Sequence, residues 1–217
     1  MFRVAFVCCL VVPLVSLMAA EKEAEKPKRL ALAEAEKQVR AFIFADKPAM
    51  NPKAEFPVKE LTTDEVWDKL GVQVFQVTEG VQAHETFVVA PGRVVRIGVG
   101  FGGRGVRSLC VAELNGDGRS KLVYSFSWGS GTHRSQVGVY DLKAKEPRQL
   151  IAGESYFSGV DDDLMVERQK DGTVAVKAAK RQVGVVGLEG KDDKTRAIIV
   201  IDVGLPDEIK KRFRSTK

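Results

Sequence analysis

Between residues 73 and 203 the chain repeats one pattern ten times, a short run rich in β-branched and apolar residues followed by a Gly, Asp or Pro signal. The runs fall at 73–77, 86–90, 94–99, 108–113, 122–128, 136–142, 164–169, 173–178, 183–188 and 197–203. Runs of this length and composition are predicted strands, and their short spacing favours a mainly antiparallel meander. Asp171-Gly172 between two of them suits a two-residue hairpin turn.

Two helices are expected upstream. Leu32, Ala35, Val39, Phe42 and Ile43 recur at helical spacing, ending before Pro48. Thr62 and Glu65 have capping-box spacing, Leu61 and Val66 sit at the staple positions, and Gly71 follows Leu70 as a stop. Pro48, Pro52 and Pro57 mark an extended linker between the two, and Pro206-Asp-Glu opens a short terminal helix. The expected fold is therefore mainly β with two N-terminal helices, an antiparallel β-sandwich or a partly closed barrel.

Met1-Phe-Arg3, the apolar stretch through Ala20 and the abrupt Glu21-Lys-Glu have the layout of a secretory signal. The expected organisation is a signal at 1–20, a charged leader at 21–28, a helical segment at 29–71, a β-rich domain at 72–205, and a short helix with a basic tail at 206–217. Secretion or a periplasmic location follows, with an uncleaved N-terminal membrane anchor as the alternative. The mature chain is long enough for one domain with its own core. It keeps one cysteine, Cys110, which cannot form an internal disulfide and reads as a small buried hydrophobe.

The formal net charge is +5, lowered by one when Arg3 leaves with the signal. Acids and bases alternate along much of the chain, so no face for nucleic acid is expected. The tail from Lys210 to Lys217 is the basic exception and reads as a solvated terminus.

The stretch between the fourth and fifth runs carries the clearest chemistry. Glu113, Asn115 and Asp117 alternate with Leu114 and Gly116, and Gly118 follows, which approximates the opening of a calcium loop. Oxygen ligands at every second position of a tight turn can converge on a hard cation. Against this, Lys121 stands where a further acid is expected and brings an ammonium instead of an oxygen. A tight hairpin, with Asn-Gly-Asp-Gly supplying its positive-φ residues, is the competing reading.

With Phe101-Gly102 and Gly105 before it and Leu122-Val-Tyr124 after it, this stretch resembles a single FG-GAP or VCBS-type repeat, the unit of integrin-like β-propellers. The resemblance covers about one sixth of the chain. It implies calcium at Glu113, Asn115 and Asp117, with Glu113 in place of the usual Asp and Lys121 in place of an acid. No second copy of the loop occurs, and a propeller needs at least about four blades. A full β-propeller is accordingly not expected, and a lone unit inside another β-fold fits better.

The second region of interest follows the fifth run. Leu122, Tyr124, Phe126 and Trp128 share one strand face, with Tyr124 and Phe126 expected in the core and Trp128 nearer the surface. The following loop, 129–135, gathers Ser130, His133 and Arg134 beside Trp128, a set able to bind a protein or glycan through donors and an aromatic plane. A hydrolase built on Ser130 and His133 with nearby acids is the alternative, without a nucleophile-elbow motif to support it. His84, His133 and Cys110 do not suffice for a common zinc site. Asp161, Asp162 and Asp163 form an acidic turn that could hold a cation or complete the Glu113 loop. The function expected is a secreted non-catalytic β-module, calcium-stabilised or not.

Overall fold

The computed structural model describes residues 28–51, 53–80, 82–98, 102–142, 147–158, 162–191 and 194–215. The expected signal, most of the leader, Phe101 and Asp161 lie outside the described residues. Among the described residues no helix is long and apolar enough to cross a membrane.

The first helix, α1 (Leu32–Asp46), buries Ala35, Val39 and Ile43 completely, the stripe its periodicity predicts. Helix α2 (Asp64–Leu70) starts one residue later than the capping-box reading places it: Thr63 Oγ1 accepts from Val66 N. Thr62 is occupied elsewhere, its hydroxyl accepting from Val74 N at 2.8 Å and so tying the helix entry to the next strand. Gly71 ends α2 in the left-handed conformation at φ 63, as expected of a C-terminal stop.

Three antiparallel sheets follow, all open, which gives the sandwich-like arrangement and no closed barrel. The first contains β1 (Val58–Glu60), β2 (Gln73–Val77), β3 (Thr86–Ala90) and β4 (Arg93–Ile97) in that order. The central sheet runs β14 (Phe213–Ser215), β9 (Glu154–Ser158), β7 (His133–Asp141), β6 (Lys121–Trp128), β5 (Gly105–Ala112), with β8 (Arg148–Ile151) also on β7. The third contains β10 (Met165–Arg168), β11 (Val174–Ala178), β12 (Arg181–Glu189) and β13 (Arg196–Ile201) in order. A short α3 (Asp207–Lys210) leads into β14.

Side-chain alternation stacks these sheets. Phe75, Val77, Phe87 and Val89 pack on α1 with Phe56 and Val58. Their neighbours Val74, Val88 and Ile97 face the central sheet and meet Val111, Leu122, Tyr124 and Phe126. From the opposite face of the central sheet, Cys110, Val123, Val137, Val139 and Tyr156 meet Val166, Val174, Val176 and Ile199 of the third sheet. The order of layers is therefore helix, sheet, sheet, sheet. Lying between two others, the central sheet is buried on both faces over β6, so that Ser125 and Ser127 are buried along with the apolar residues of that strand.

All ten predicted runs match a strand within three residues at either end, the widest offsets being the starts of β5 at Gly105 and of β7 at His133. Four strands are additions: β1, β8, β9 and β14. Because β1 pairs with β2, the helical segment at 29–71 and the β-rich region share one sheet. The Asp171-Gly172 turn joins β10 to β11, with Asp171 Oδ1 accepting from Thr173 N at 3.0 Å.

Candidate functional site

The loop at 113–118 joins β5 to β6, and its oxygens converge on a cation that the chain itself supplies. Lys121 Nζ donates to Asn115 Oδ1 at 2.9 Å, to both Asp117 oxygens at 3.0 Å and to the Arg119 carbonyl at 3.3 Å. The Lys121 side chain is only 2% exposed. Glu113 turns back on the loop, its Oε1 accepting from Gly118 N at 2.9 Å. Burial raises the Asp117 carboxyl, but hydrogen bonds from Lys121 and from the Arg119 backbone and guanidinium outweigh it and hold the group well below the ordinary carboxylate range. Two of the three oxygen-bearing residues read as metal ligands thus hold an ammonium, and the third closes the turn. Among the described residues no group of three or more His, Cys, Asp or Glu side chains is arranged to hold a metal ion.

At the far end of β6 the sheet register places Trp128 opposite Arg134, and Arg134 opposite Phe157. The Arg134 guanidinium lies 5.1 Å from the ring centroid on each side, Trp128 on one and Phe157 on the other. Arg214 lies 5.9 Å over Phe157 and extends the row onto β14. Trp128 is fixed from below, its Nε1 donating to the buried Gln136 Oε1 at 2.8 Å. No hydrogen bond or ion pair is formed by the Arg134 guanidinium among the described residues, so its donors remain available at the edge of the row.

The proposed loop partners separate around this row. His133 to Ser135 belong to β7, and the loop proper is 129–132. Successive residues of a strand point to opposite faces, so His133 and Arg134 lie on opposite sides of the sheet. Ser130 is exposed and forms no hydrogen bond with His133. Close packing of glycines seats the loop: Gly103 N donates to the Gly129 carbonyl at 3.0 Å. A Cβ on Gly103 would lie 2.4 Å from the Ser127 carbonyl oxygen, which accounts for Gly102-Gly103 as a backbone approach.

The two described residues of the acidic turn, Asp162 and Asp163, are held in ion pairs. Asp162 pairs with Arg212, which also lies 4.7 Å over the Tyr156 ring. Asp163 sits 3.1 Å from Arg107 Nε and 3.7 Å from Arg104 Nη1. Serines from the central sheet hold the adjoining backbone, with Leu164 N donating to Ser135 Oγ at 3.0 Å and Val166 N to Ser108 Oγ at 2.6 Å. Sequence reasoning missed Phe157, Arg214 and Arg107, whose partners come from distant strands. The one available signal was the alternation Tyr156/Phe157, which marks a strand with an aromatic on each face.

Cys110 is buried in the layer between the central and third sheets, and that burial pushes its thiol up to about 12. It packs as the small hydrophobe expected. No protein-family model matches this chain, and neither a curated protein nor a solved structure matches it.

Proposed function

We propose that this chain is a non-catalytic β-module acting outside the cytoplasm, and that it binds an acid-bearing partner, glycan or protein, at the Trp128–Arg134–Phe157 row. The observation that carries this reading is the guanidinium of Arg134, held between two rings and lacking a carboxylate partner among the described residues. A guanidinium fixed in this way has little freedom left to lose, and its planar fork matches a carboxylate in bidentate fashion. Arg214 at the next position extends the positive edge. Calcium at Glu113, Asn115 and Asp117 would add to the stability of this module only by displacing Lys121 Nζ from their midst.

Affinity electrophoresis tests the assignment directly. Wild-type protein should be retarded in gels containing polygalacturonate or polyglutamate and not in gels containing neutral dextran, and Arg134→Gln should lose most of the retardation. Equal migration of wild type and Arg134→Gln in the acidic gels would defeat it.

A further inference from the structure

A cavity of about 360 Å³ opens where α2 meets the first sheet, walled by Leu30, Trp67, Val89, Ala90 and Pro91. Its size and its mainly apolar walls are those of a small-molecule site. Val89 and its register partner Gln73 share the face of the first sheet that carries α1, and both line the cavity. Gly71 N donates to the Trp67 carbonyl at 2.9 Å, so the left-handed stop that turns the chain into β2 sets Trp67 one helical turn earlier, against the cavity.

The walls are held in place by contacts of their own. Gln73, 2% exposed, clamps the chain ahead of α1: its Oε1 accepts from Leu30 N at 2.7 Å, and its Nε2 donates to the Leu30 carbonyl at 3.2 Å. The Arg29 guanidinium lies 2.9 Å from Glu60 and 3.7 Å from Asp64, and 5.9 Å over the Trp67 ring, which fixes the indole. Pro91-Gly92 is a two-residue turn with Gly92 at φ 70 and Ala90 paired with Arg93, a rigid rim between β3 and β4. Walls held in this way need little ordering when a ligand enters.

The charge in the lining comes from Lys28, which is exposed and has no carboxylate partner among the described residues. Glu60 and Asp64 pair with Arg29 instead. Trp67 is half-buried, and its indole N–H makes no hydrogen bond among the described residues, so a second donor is open. No Asp or Glu stands among the described lining residues. We infer that this cavity binds a small apolar monocarboxylate, its hydrocarbon body against Leu30, Trp67, Val89 and Pro91 and its carboxylate on Lys28. Alkanoic and arylalkanoic acids share this chemistry. The apolar walls supply affinity, and the ammonium supplies a modest preference for the acid because it is exposed. The cavity belongs to the helices and the first sheet and the Arg134 row to the central sheet, so either can bind without the other.

Tryptophan fluorescence decides the matter. The chain has two tryptophans, so Trp128→Phe leaves Trp67 as the sole reporter. Octanoate and phenylacetate should each change the emission of this variant saturably, while acetate, which lacks the apolar body, should not over the same concentrations. Phenylacetamide, which lacks the charge, should bind about 5-fold more weakly than phenylacetate. Lys28→Met added to this background should weaken both acids about 5-fold and leave the amide as it was. Its urea midpoint should not fall, because Lys28 has no ion pair to lose. In Trp67→Phe, where Trp128 is the sole indole, neither acid should change the emission. Tighter binding of octanoate assigns the site to alkyl chains and tighter binding of phenylacetate to rings, and both support the inference. It would be overturned by emission that responds to neither acid, by a response carried by Trp128 instead of Trp67, or by acid and amide binding equally with and without the Lys28→Met change.

Discussion

Replacing Lys121 by Met removes the cation from the 113–118 loop while keeping the length and apolar stem of the side chain. In the native loop the ammonium makes bonds of 2.9 to 3.0 Å with three side-chain oxygens. Breaking a buried ion pair costs about 3–5 kcal/mol when the surviving charge stays uncompensated. Asp117 is 20% exposed and keeps the Arg119 backbone N–H and Nε, each at 2.9 Å. That residual support brings the expectation down to about 2–3 kcal/mol. With a urea slope of about 2 kcal/mol per molar, the midpoint should fall by about 1–1.5 M. A cycle with Asp117→Asn isolates the pair, and a coupling of about 1–3 kcal/mol is expected. Coupling below about 0.5 kcal/mol, the size of ordinary additivity error, would refute the account of the loop. Calcium supplies a second readout, since a metal that binds the native state raises the midpoint logarithmically with its concentration. The wild-type midpoint should be the same in EDTA and in calcium, because the ammonium holds the oxygens.

Protonation of Asp117 gives a pH test: its folded-state value is depressed, so its stabilisation is present above its ordinary value of 3.8 and is withdrawn as pH falls below that. The difference in urea midpoint between wild type and Asp117→Asn should accordingly shrink on acidification through that region. The Cys110 thiol, raised to about 12, should resist Ellman's reagent at mildly alkaline pH in the folded protein and react fully in denaturant. Gly138 faces Tyr124, and a Cβ there would lie 2.3 Å from the ring. Gly138→Ala should cost about 1–3 kcal/mol or more by overpacking, whereas Gly153→Ala, with open space around it, should be nearly neutral in the same urea experiment.

Periodicity carried most of the fold because the buried faces are regular. Ala35, Val39 and Ile43 mark α1, and the alternation of Val74, Phe75 and Val77 places β2 between two layers. What escaped the sequence is short and amphipathic in a different way. Strand β14 lies within a basic tail, and it is ordered by Phe213 against Tyr156, with ring centroids 5.0 Å apart, a contact no local pattern encodes. The start of β7 was hidden by Ser, Thr and Gly, which have turn composition, although Ser135 is fully buried and bonded to the Phe126 carbonyl. For the candidate site, Trp128 and Arg134 were legible because one hairpin joins them. Arg107 and Asp163 were not legible as a pair, since their meeting depends on a bulge and on packing between sheets. Lys121 stood out in the sequence as a misfit to the metal pattern, and only the closed hairpin reveals that its ammonium takes the position of the cation.

Backbone hydrogen exchange, followed by mass spectrometry with and without polygalacturonate, tests the proposed contact surface where it is most exposed to failure. The account predicts added protection in the 129–132 loop and the flanking ends of β6, β7 and β9, where Trp128, Arg134 and Phe157 meet. Binding with protection confined to other parts of the chain, and exchange around Arg134 unchanged, would contradict it.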